Sequence, residues 1–207
     1  MHCSIRSTRI SYKTLRSRAL LEGDRDTADA IALLGALYRA RTHTKDTITL
    51  GEEFKLLEMY LKIMELRFGD NFFYQVELED ALRKIPTVSF WLQPLAENFF
   101  THGFDRESMY NLLIISGHPQ GSDTVIEIMD NGSGVPADQL EQVQKTMREG
   151  NDDPEADIGL RNVYMRLNYF YGNGFKMEIG NNPEGGFKIS ILIPGKVEED
   201  VHIGDRG

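Results

Sequence analysis

Lys176–Met177–Glu178–Ile179–Gly180–Asn181–Asn182–Pro183–Glu184–Gly185–Gly186–Phe187–Lys188–Ile189–Ser190–Ile191–Leu192–Ile193 is the stretch that decides the fold class. Lys176–Ile179 and Phe187–Ile193 read as strands, and Pro183–Glu184–Gly185–Gly186 joins them as a tight turn, so the chain ends in a hairpin. Upstream the periods are mixed. A helix opens at Gly159 with the face Leu160, Val163, Leu167 and Phe170, behind a polar, acidic stretch from Arg148 to Asp157. Pro136 to Met147 reads as helix, and Phe73–Leu78, Leu112–Ile115 and Val125–Met129 read as strands. Pro86 is expected to open a helix running to about His102, with Ile85, Val88, Leu92, Leu95 and Phe99 as its buried stripe. Helices mixed with hairpin-joined strands predict an α+β fold, a two-layer sandwich with helices on one face of a sheet, and not a doubly wound parallel sheet.

The first third is helical in pattern. Ala28, Ile31, Leu34 (or Leu33), Leu37 and Tyr38 recur after the acidic start Asp24 and Asp26. Thr42 to Thr47 breaks the pattern, and a second amphipathic helix follows from Leu50 to Phe68 on the stripe Leu50, Phe54, Leu57, Leu61, Met64 and Phe68. Lying ahead of any strand, these helices are expected to have no sheet to cover and to pack on each other or on a second copy of the chain.

Composition narrows the function. At 207 residues the chain suits one sizeable domain plus a helical appendage, and 41% hydrophobic with 27% charged residues is ordinary for a soluble fold. Acidic side chains outnumber basic ones 32 to 23, for a net charge of −9, which disfavours broad nucleic-acid binding. Cys3 is the single cysteine, so no internal disulfide or cysteine-rich metal site forms, and a reducing cytoplasm fits. No apolar run approaches the roughly 20 residues that cross a bilayer, and Met1 to Leu21 lacks the apolar core of a secretory signal.

Three constellations carry chemistry. In Leu92–Gln93–Pro94–Leu95–Ala96–Glu97–Asn98–Phe99–Phe100–Thr101–His102, the residues Pro94, Glu97, Asn98 and His102 fall away from the apolar stripe. An Asn oxygen suits Mg²⁺, which keeps waters and takes substrate phosphates as further ligands. In Asp130–Asn131–Gly132–Ser133–Gly134, a strand-end carboxylate can accept from an exocyclic amine, and glycines let backbone approach a flat base. In Ile158–Gly159–Leu160–Arg161–Asn162–Val163, a glycine opens a helix whose free N–H groups suit phosphate. Each alone has an ordinary explanation as a polar helix edge, a turn or a loop-entered helix. Their order is what distinguishes them.

That order resembles the GHKL (Bergerat) ATP-binding superfamily, and within it the sensor histidine kinases of the LytS/YesM type. Leu92 to Gly103 is similar to the family's asparagine box, Asp130 to Gly134 to its first glycine box, and Gly159 to Leu167 to its second. Gly185–Gly186 sits where the family has a glycine before its last strand. Thr49–Leu50–Gly51–Glu52–Glu53 through Arg67–Phe68–Gly69–Asp70 resembles the helix placed before the ATP domain. The likeness spans Leu15 to Pro194. It implies a helical dimerisation and phosphoacceptor-like segment over 1–69, an ATP-binding domain over 70–196 and a tail over 197–207. It implies ATP and Mg²⁺ as cofactors, Asn98 as the metal ligand, and Glu97, Asn98 and His102 as catalytic residues, with Glu97 and His102 on the phosphate side. It further implies nucleotide contacts from Asp130, Gly132, Gly134, Gly159, Leu160, Arg161 and Gly186, beneath a lid over Arg148 to Asp157. Its partners would be a response regulator and a second kinase chain, as a homodimer or a heterodimer with an intact kinase. Its place would be the cytoplasmic part of a membrane sensor.

Four positions bear on how the likeness is read. Thr101 stands where the family often has Lys, and Asp157 where the second glycine box has its first Gly. Pro94 is usual for these kinases but stands where hydrolysing branches carry a water-activating glutamate, which argues against an ATP hydrolase. Thr8–Arg9–Ile10–Ser11–Tyr12–Lys13–Thr14–Leu15 aligns with the phosphoacceptor box with Arg9 in place of histidine. His2, His43, His102, His118 and His202 lie in no such box. The expected function is the catalytic region of a histidine kinase. The alternative is a non-catalytic ATP-binding regulator that heterodimerises. An anti-sigma-factor serine kinase is disfavoured by the helices before Phe68.

Overall fold

The computed structural model describes the backbone of residues 2–149 and 158–195 and the side chains of 12–149 and 159–195. The tail, most of the expected lid and the side chains of Thr8 to Ser11 lie outside the described residues. Two helices, α1 (His2–Leu21) and α2 (Arg25–His43), form a hairpin. Asp24 caps α2, its side chain accepting from the Thr27 N–H, as the orphan donors of a helix start require. Tyr12 and Tyr38 meet across the hairpin with ring centroids 6.1 Å apart.

Strand β1 (Thr47–Thr49) leads directly into α3 (Leu50–Phe68), and Thr49 with Glu52 makes a reciprocal capping box. The expectation that α3 has no sheet to cover is overturned. Leu50, Phe54, Leu57 and Leu61 are buried in one core with Phe72, Leu78, Trp91, Leu92 and Leu95. The stripe was legible in the sequence; its partner lies further down the chain.

The sheet has five strands in the order β2 (Phe72–Leu78), β4 (Asn111–Gln120), β5 (Asp123–Asp130), β7 (Phe187–Ile193), β6 (Lys176–Asn181). Only β2–β4 is parallel; the other pairs are antiparallel, and β6–β7 is the expected hairpin. Alternate residues Leu113, Ile115, Ile126, Ile128, Ile189 and Ile191 are buried on one face, under α3, α4 (Leu92–Asn98), α5 (Ala137–Glu149) and α6 (Ile158–Tyr171). This is the expected two-layer α+β arrangement. Gly117 on β4 is where Leu78 and Ile126 interdigitate, since a Cβ there would stand 2.6 and 2.8 Å from their Cδ1 atoms.

A second expectation fails at Pro86. Pro86–Val88 is a strand, β3, paired antiparallel with β1, and the helix begins only at Leu92. A fixed proline φ serves a short strand as well as a first helical turn, and Thr47–Thr49 supplies the ladder partner. Ile85 and Val88 are therefore half-buried ribbon residues and not part of a helical stripe. The helical path also changes character at its far end. Phe99–Gly103 forms a π turn closed by the Phe104 N–H on the Phe99 carbonyl at 2.7 Å.

Burial of α3 gives a test. Leu57→Ala removes a side chain 1% exposed and is expected to cost about 2–5 kcal/mol. Leu34→Ala, on the 44% exposed flank of α2, is expected to stay within about 0.5 kcal/mol. Urea unfolding measures both; equal small effects would show that α3 is not part of the core.

Candidate functional site

At the end of β5, Asp130 turns its carboxylate into a cavity of about 470 Å³ between the sheet and α4. Its Oδ1 accepts from the Gly132 N–H at 2.8 Å and the Phe187 N–H at 3.1 Å. None of the described hydrogen bonds engages Oδ2, which leaves an acceptor for a donor entering the cavity. Burial raises the carboxyl above its ordinary value, against the two N–H bonds that favour the anion.

The glycines around Asp130 are fixed by contact. A Cβ on Gly186 would lie 1.9 Å from the Asp130 carbonyl oxygen, and one on Gly132 2.5 Å from that of Gly103. Gly134 has φ +68 and packs so that a Cβ would meet the Asn181 Oδ1 at 2.7 Å. Asn181 in turn accepts from the Val135 N–H at 2.8 Å and donates to the Val135 carbonyl at 2.7 Å, which pins the loop to β6. The result is a wall of bare backbone beside one carboxylate. Gly103 and Asn181 are parts of it that the sequence reading gave no role. Gly103 follows His102 within the quoted box, whereas Asn181 lies 46 residues from Val135 and no local signal marks it.

Asn98 and His102 line the same cavity from α4 and the π turn, with Leu95, Phe99, Leu113, Ile128 and Ile189 as apolar walls. The half-buried Asn98 amide takes part in none of the described side-chain hydrogen bonds. Among the described residues, no group of three or more His, Cys, Asp or Glu is placed to hold a metal ion. A cation here would therefore rest on Asn98, water and oxygens of a ligand, a donor set that suits Mg²⁺.

Not every candidate shares this cavity. Glu97 faces the other side of α4, accepting from the Gln93 Nε2 at 2.7 Å and lining a cleft with Tyr60, Arg67, Thr101 and Arg106. Gly159, opening α6, lines a third cleft with Arg41, Phe90, Pro94, Asn162 and Arg166. The Leu160 side chain is core, so only its backbone can face a ligand. Arg161 is half-buried, and its Nε has no partner among the described residues. Residues 150–157, which would lie between α5 and this helix start, are outside the described residues.

One acidic residue was missed altogether. Glu53 is 1% exposed, and its carboxylate accepts N–H groups from Phe90 at 2.7 Å, Trp91 at 2.7 Å and Leu92 at 2.9 Å. The signal was available: Glu53 sits three residues after Leu50 and four before Leu57, on the apolar stripe of α3.

In sequence and in fold the chain is similar to known sensor proteins and histidine kinases. The family model described as histidine kinase matches residues 11–72, starting after Arg9. The chain is 28% identical over 189 residues to the sensor protein LytS of Staphylococcus haemolyticus, covering 88% of this chain and 32% of the relative. It is 29% identical over 157 residues to LytS of Streptococcus agalactiae, covering 75% and 26%. It is 27% identical to the sensor protein kinase HptS of Staphylococcus aureus, covering 76% and 30%. The chain thus spans a third or less of the length of these relatives. Among solved structures, the histidine kinase domain of an Erythrobacter litoralis blue-light activated histidine kinase superposes with TM-score 0.52 at 16% identity, covering 89% of this chain and 82% of that one. The histidine kinase ThkA, solved in complex with the response regulator TrrA, gives TM-score 0.52 at 9% identity, covering 95% and 61%. At such identities the structures establish the fold.

Asp130 yields a prediction independent of any ligand. The folded chain holds the Asp130 proton more tightly than the unfolded chain, so the stability this contributes is present below the ordinary carboxyl value and lost as pH rises through the raised one. Asp130→Asn keeps an Oδ1 acceptor for Gly132 and Phe187 and removes the buried charge. Its denaturant midpoint at pH 7 is expected to equal or exceed that of the unaltered chain, the gap closing towards about pH 4. A lower midpoint at pH 7 would show that the anion stabilises the fold.

Proposed function

We propose that this chain, a relative of the LytS-type sensor histidine kinases with the α+β fold of their catalytic domains, binds ATP with Mg²⁺ and is the catalytic region that sends the γ-phosphate to a histidine and thence to a response regulator. The observation that carries the reading is the convergence of Asp130, its glycine wall, Asn98 and His102 on one cavity. The Asp130 Oδ2 would accept from the adenine amine, with Gly134 lining the cavity and Gly132 and Gly186 letting the backbone pack closely around the carboxylate. Asn98 would hold Mg²⁺ together with phosphate oxygens and water. Bound there, the metal would neutralise charge on the transferring phosphoryl group, and the protein's task is positioning.

The backbone N–H groups of Gly159 and Leu160, with Arg161, would meet the phosphates from α6. His102 would lie on the phosphate side of the cavity. Glu97 fits a role in the neighbouring cleft better than direct contact with the nucleotide. For the division of the chain, we place the helical pairing segment in α1 and α2, because α3 shares the core of the ATP-binding unit. Pairing with a second kinase chain would use the hairpin, where Leu15, Leu20, Leu21 and Leu34 are exposed. No helix among the described residues is long and apolar enough to cross a membrane, and in this reading the chain works on the cytoplasmic side of a sensor.

Arg9 favours a second reading, an ATP-binding regulator acting through heterodimerisation. Guanidinium stays protonated and offers no nucleophilic nitrogen, whereas a phosphoacceptor imidazole needs one in line with the γ-phosphate. His43 ends α2 and His118 lies in β4, so neither sits in the acceptor-like stretch.

Calorimetric titration with ATP tests the site. Asp130→Asn is expected to lower ATP affinity about ten- to a hundredfold, the worth of a charge-assisted hydrogen bond. Asn98→Ala is expected to lose the gain in affinity that Mg²⁺ brings. Normal affinity in a folded Asp130→Asn chain would remove the adenine assignment, and a normal Mg²⁺ gain in Asn98→Ala would place the metal elsewhere.

With labelled ATP, the chain alone is expected to form no acid-labile, base-stable phosphate. Stoichiometric phosphohistidine would show an acceptor outside the aligned box.

A further inference from the structure

We infer that Glu53 is a positioning residue for the metal side of the nucleotide site, coupling α3 to Asn98 and leaving the adenine side untouched. The inference rests on the reading of the cavity as an Mg–ATP site.

A buried carboxylate needs compensation, and Glu53 finds it in the three N–H groups of Phe90, Trp91 and Leu92. These amides lead into α4, where no side chain of the helix's own cap serves them. The partial positive charge of a helix start adds to the attraction. Among the described residues, no cation pairs directly with Glu53. The nearby Arg166 donates instead to the Ser89 carbonyl at 2.7 Å, one residue before the clamped amides. Phe90 is held at φ 58, a conformation that non-glycine residues rarely adopt, so the segment is over-determined by these bonds. Burial raises the Glu53 carboxyl while the Leu92, Phe90 and Trp91 N–H groups draw it back.

The consequence follows from which elements are joined. Asn98 is the last residue of α4, six residues beyond the clamped Leu92 N–H. Asp130 belongs to β5, held by the sheet and by Gly132 and Phe187, with no bond to α3. A shift or roll of α3 therefore moves the metal ligand relative to the adenine carboxylate. Since α3 follows the α1–α2 hairpin, Glu53 is one polar link by which the helical segment reaches the site, beside the Arg41 guanidinium of α2 over the Phe90 ring at 5.5 Å.

The full chain serves for the test. Glu53→Gln keeps the shape but sets an amide NH₂ against one or more of the three donors; Glu53→Asp keeps the charge on a shorter arm. Leu57→Ala is the control for lost stability, because it removes core packing and leaves the bonds between α3 and the start of α4 in place. Three quantities are read: amide exchange at Phe90, Trp91 and Leu92, ATP affinity without Mg²⁺, and the gain that Mg²⁺ adds. In Glu53→Gln, exchange at the three amides is expected to rise about tenfold or more, and the Mg²⁺ gain to fall about fivefold or more. Metal-free affinity should stay within about twofold. Glu53→Asp should restore part of the gain, and Leu57→Ala should leave it intact. A full Mg²⁺ gain in folded Glu53→Gln overturns the inference. So does a parallel fall of both affinities matched by Leu57→Ala, which would make Glu53 a fold element alone. Should the unaltered chain bind no nucleotide, the reading of the cavity fails and takes the inference with it. Should it bind with an Mg²⁺ gain that Glu53→Gln preserves, the inference alone fails.

Discussion

A negative charge buried in the core sets the geometry of this molecule. Glu53 is inside, and a carboxylate there is tolerable only if several donors meet it. The three amides at the entry to α4 do so, and they can reach it only if Phe90 adopts its left-handed turn and α4 starts at Leu92. The surrounding contacts fall into line. Leu50 N–H bonds the Ile85 carbonyl, Gly51 N–H that of Arg83, and Ser89 N–H that of Asp46, so the β1–β3 ribbon is drawn onto the start of α3. From the far side, Arg166 and the Tyr171 hydroxyl reach the Ser89 and Pro86 carbonyls, tying in α6. Two helices, α3 and α6, thus converge on the chain from Pro86 to Leu92, where α4 begins.

This explains what was legible in the sequence and what was not. The strands of the five-stranded sheet, its terminal hairpin, the α3 stripe and the strand-end Asp130 with its glycines depend on local period and turn chemistry, and the chain shows them directly. The error at Pro86 arose because proline suits a helix start and a short strand alike. The arbiter was Thr47–Thr49, about forty residues upstream. Glu53 was visible as an acid on an apolar stripe, but its partners are backbone amides, which carry no residue identity to read. Gly186 stood out as a turn glycine, whereas its stricter reason, the Asp130 carbonyl 1.9 Å from where a Cβ would sit, is a tertiary contact.

Buried Glu53 and half-buried Asp130 divide the work differently. Glu53 is fully paired and has nothing left to offer a ligand. Among the described residues Asp130 is bonded through Oδ1 alone, in a cavity lined largely by apolar side chains, an arrangement suited to recognising a donor. An apolar residue at 130 would leave the Gly132 and Phe187 N–H groups without their acceptor.

Helix α4 separates two environments, and this bears on how its polar residues are assigned. Asn98 and His102, four residues apart, share the cavity with Asp130. Glu97 and Thr101, also four apart, share the cleft beneath α3 with Tyr60, Arg67 and Arg106. Burial holds the Tyr60 hydroxyl well above its ordinary range, with Glu97 reinforcing the effect, so Tyr60 stays neutral there. Glu97 is moreover engaged by Gln93. Adjacent residues on a helix point about 100° apart, so in this setting of α4 Glu97 opens on one environment and Asn98 on the other. A common role for them would require the helix to roll, and the bonds from Glu53 to its first turn are what hold it against rolling.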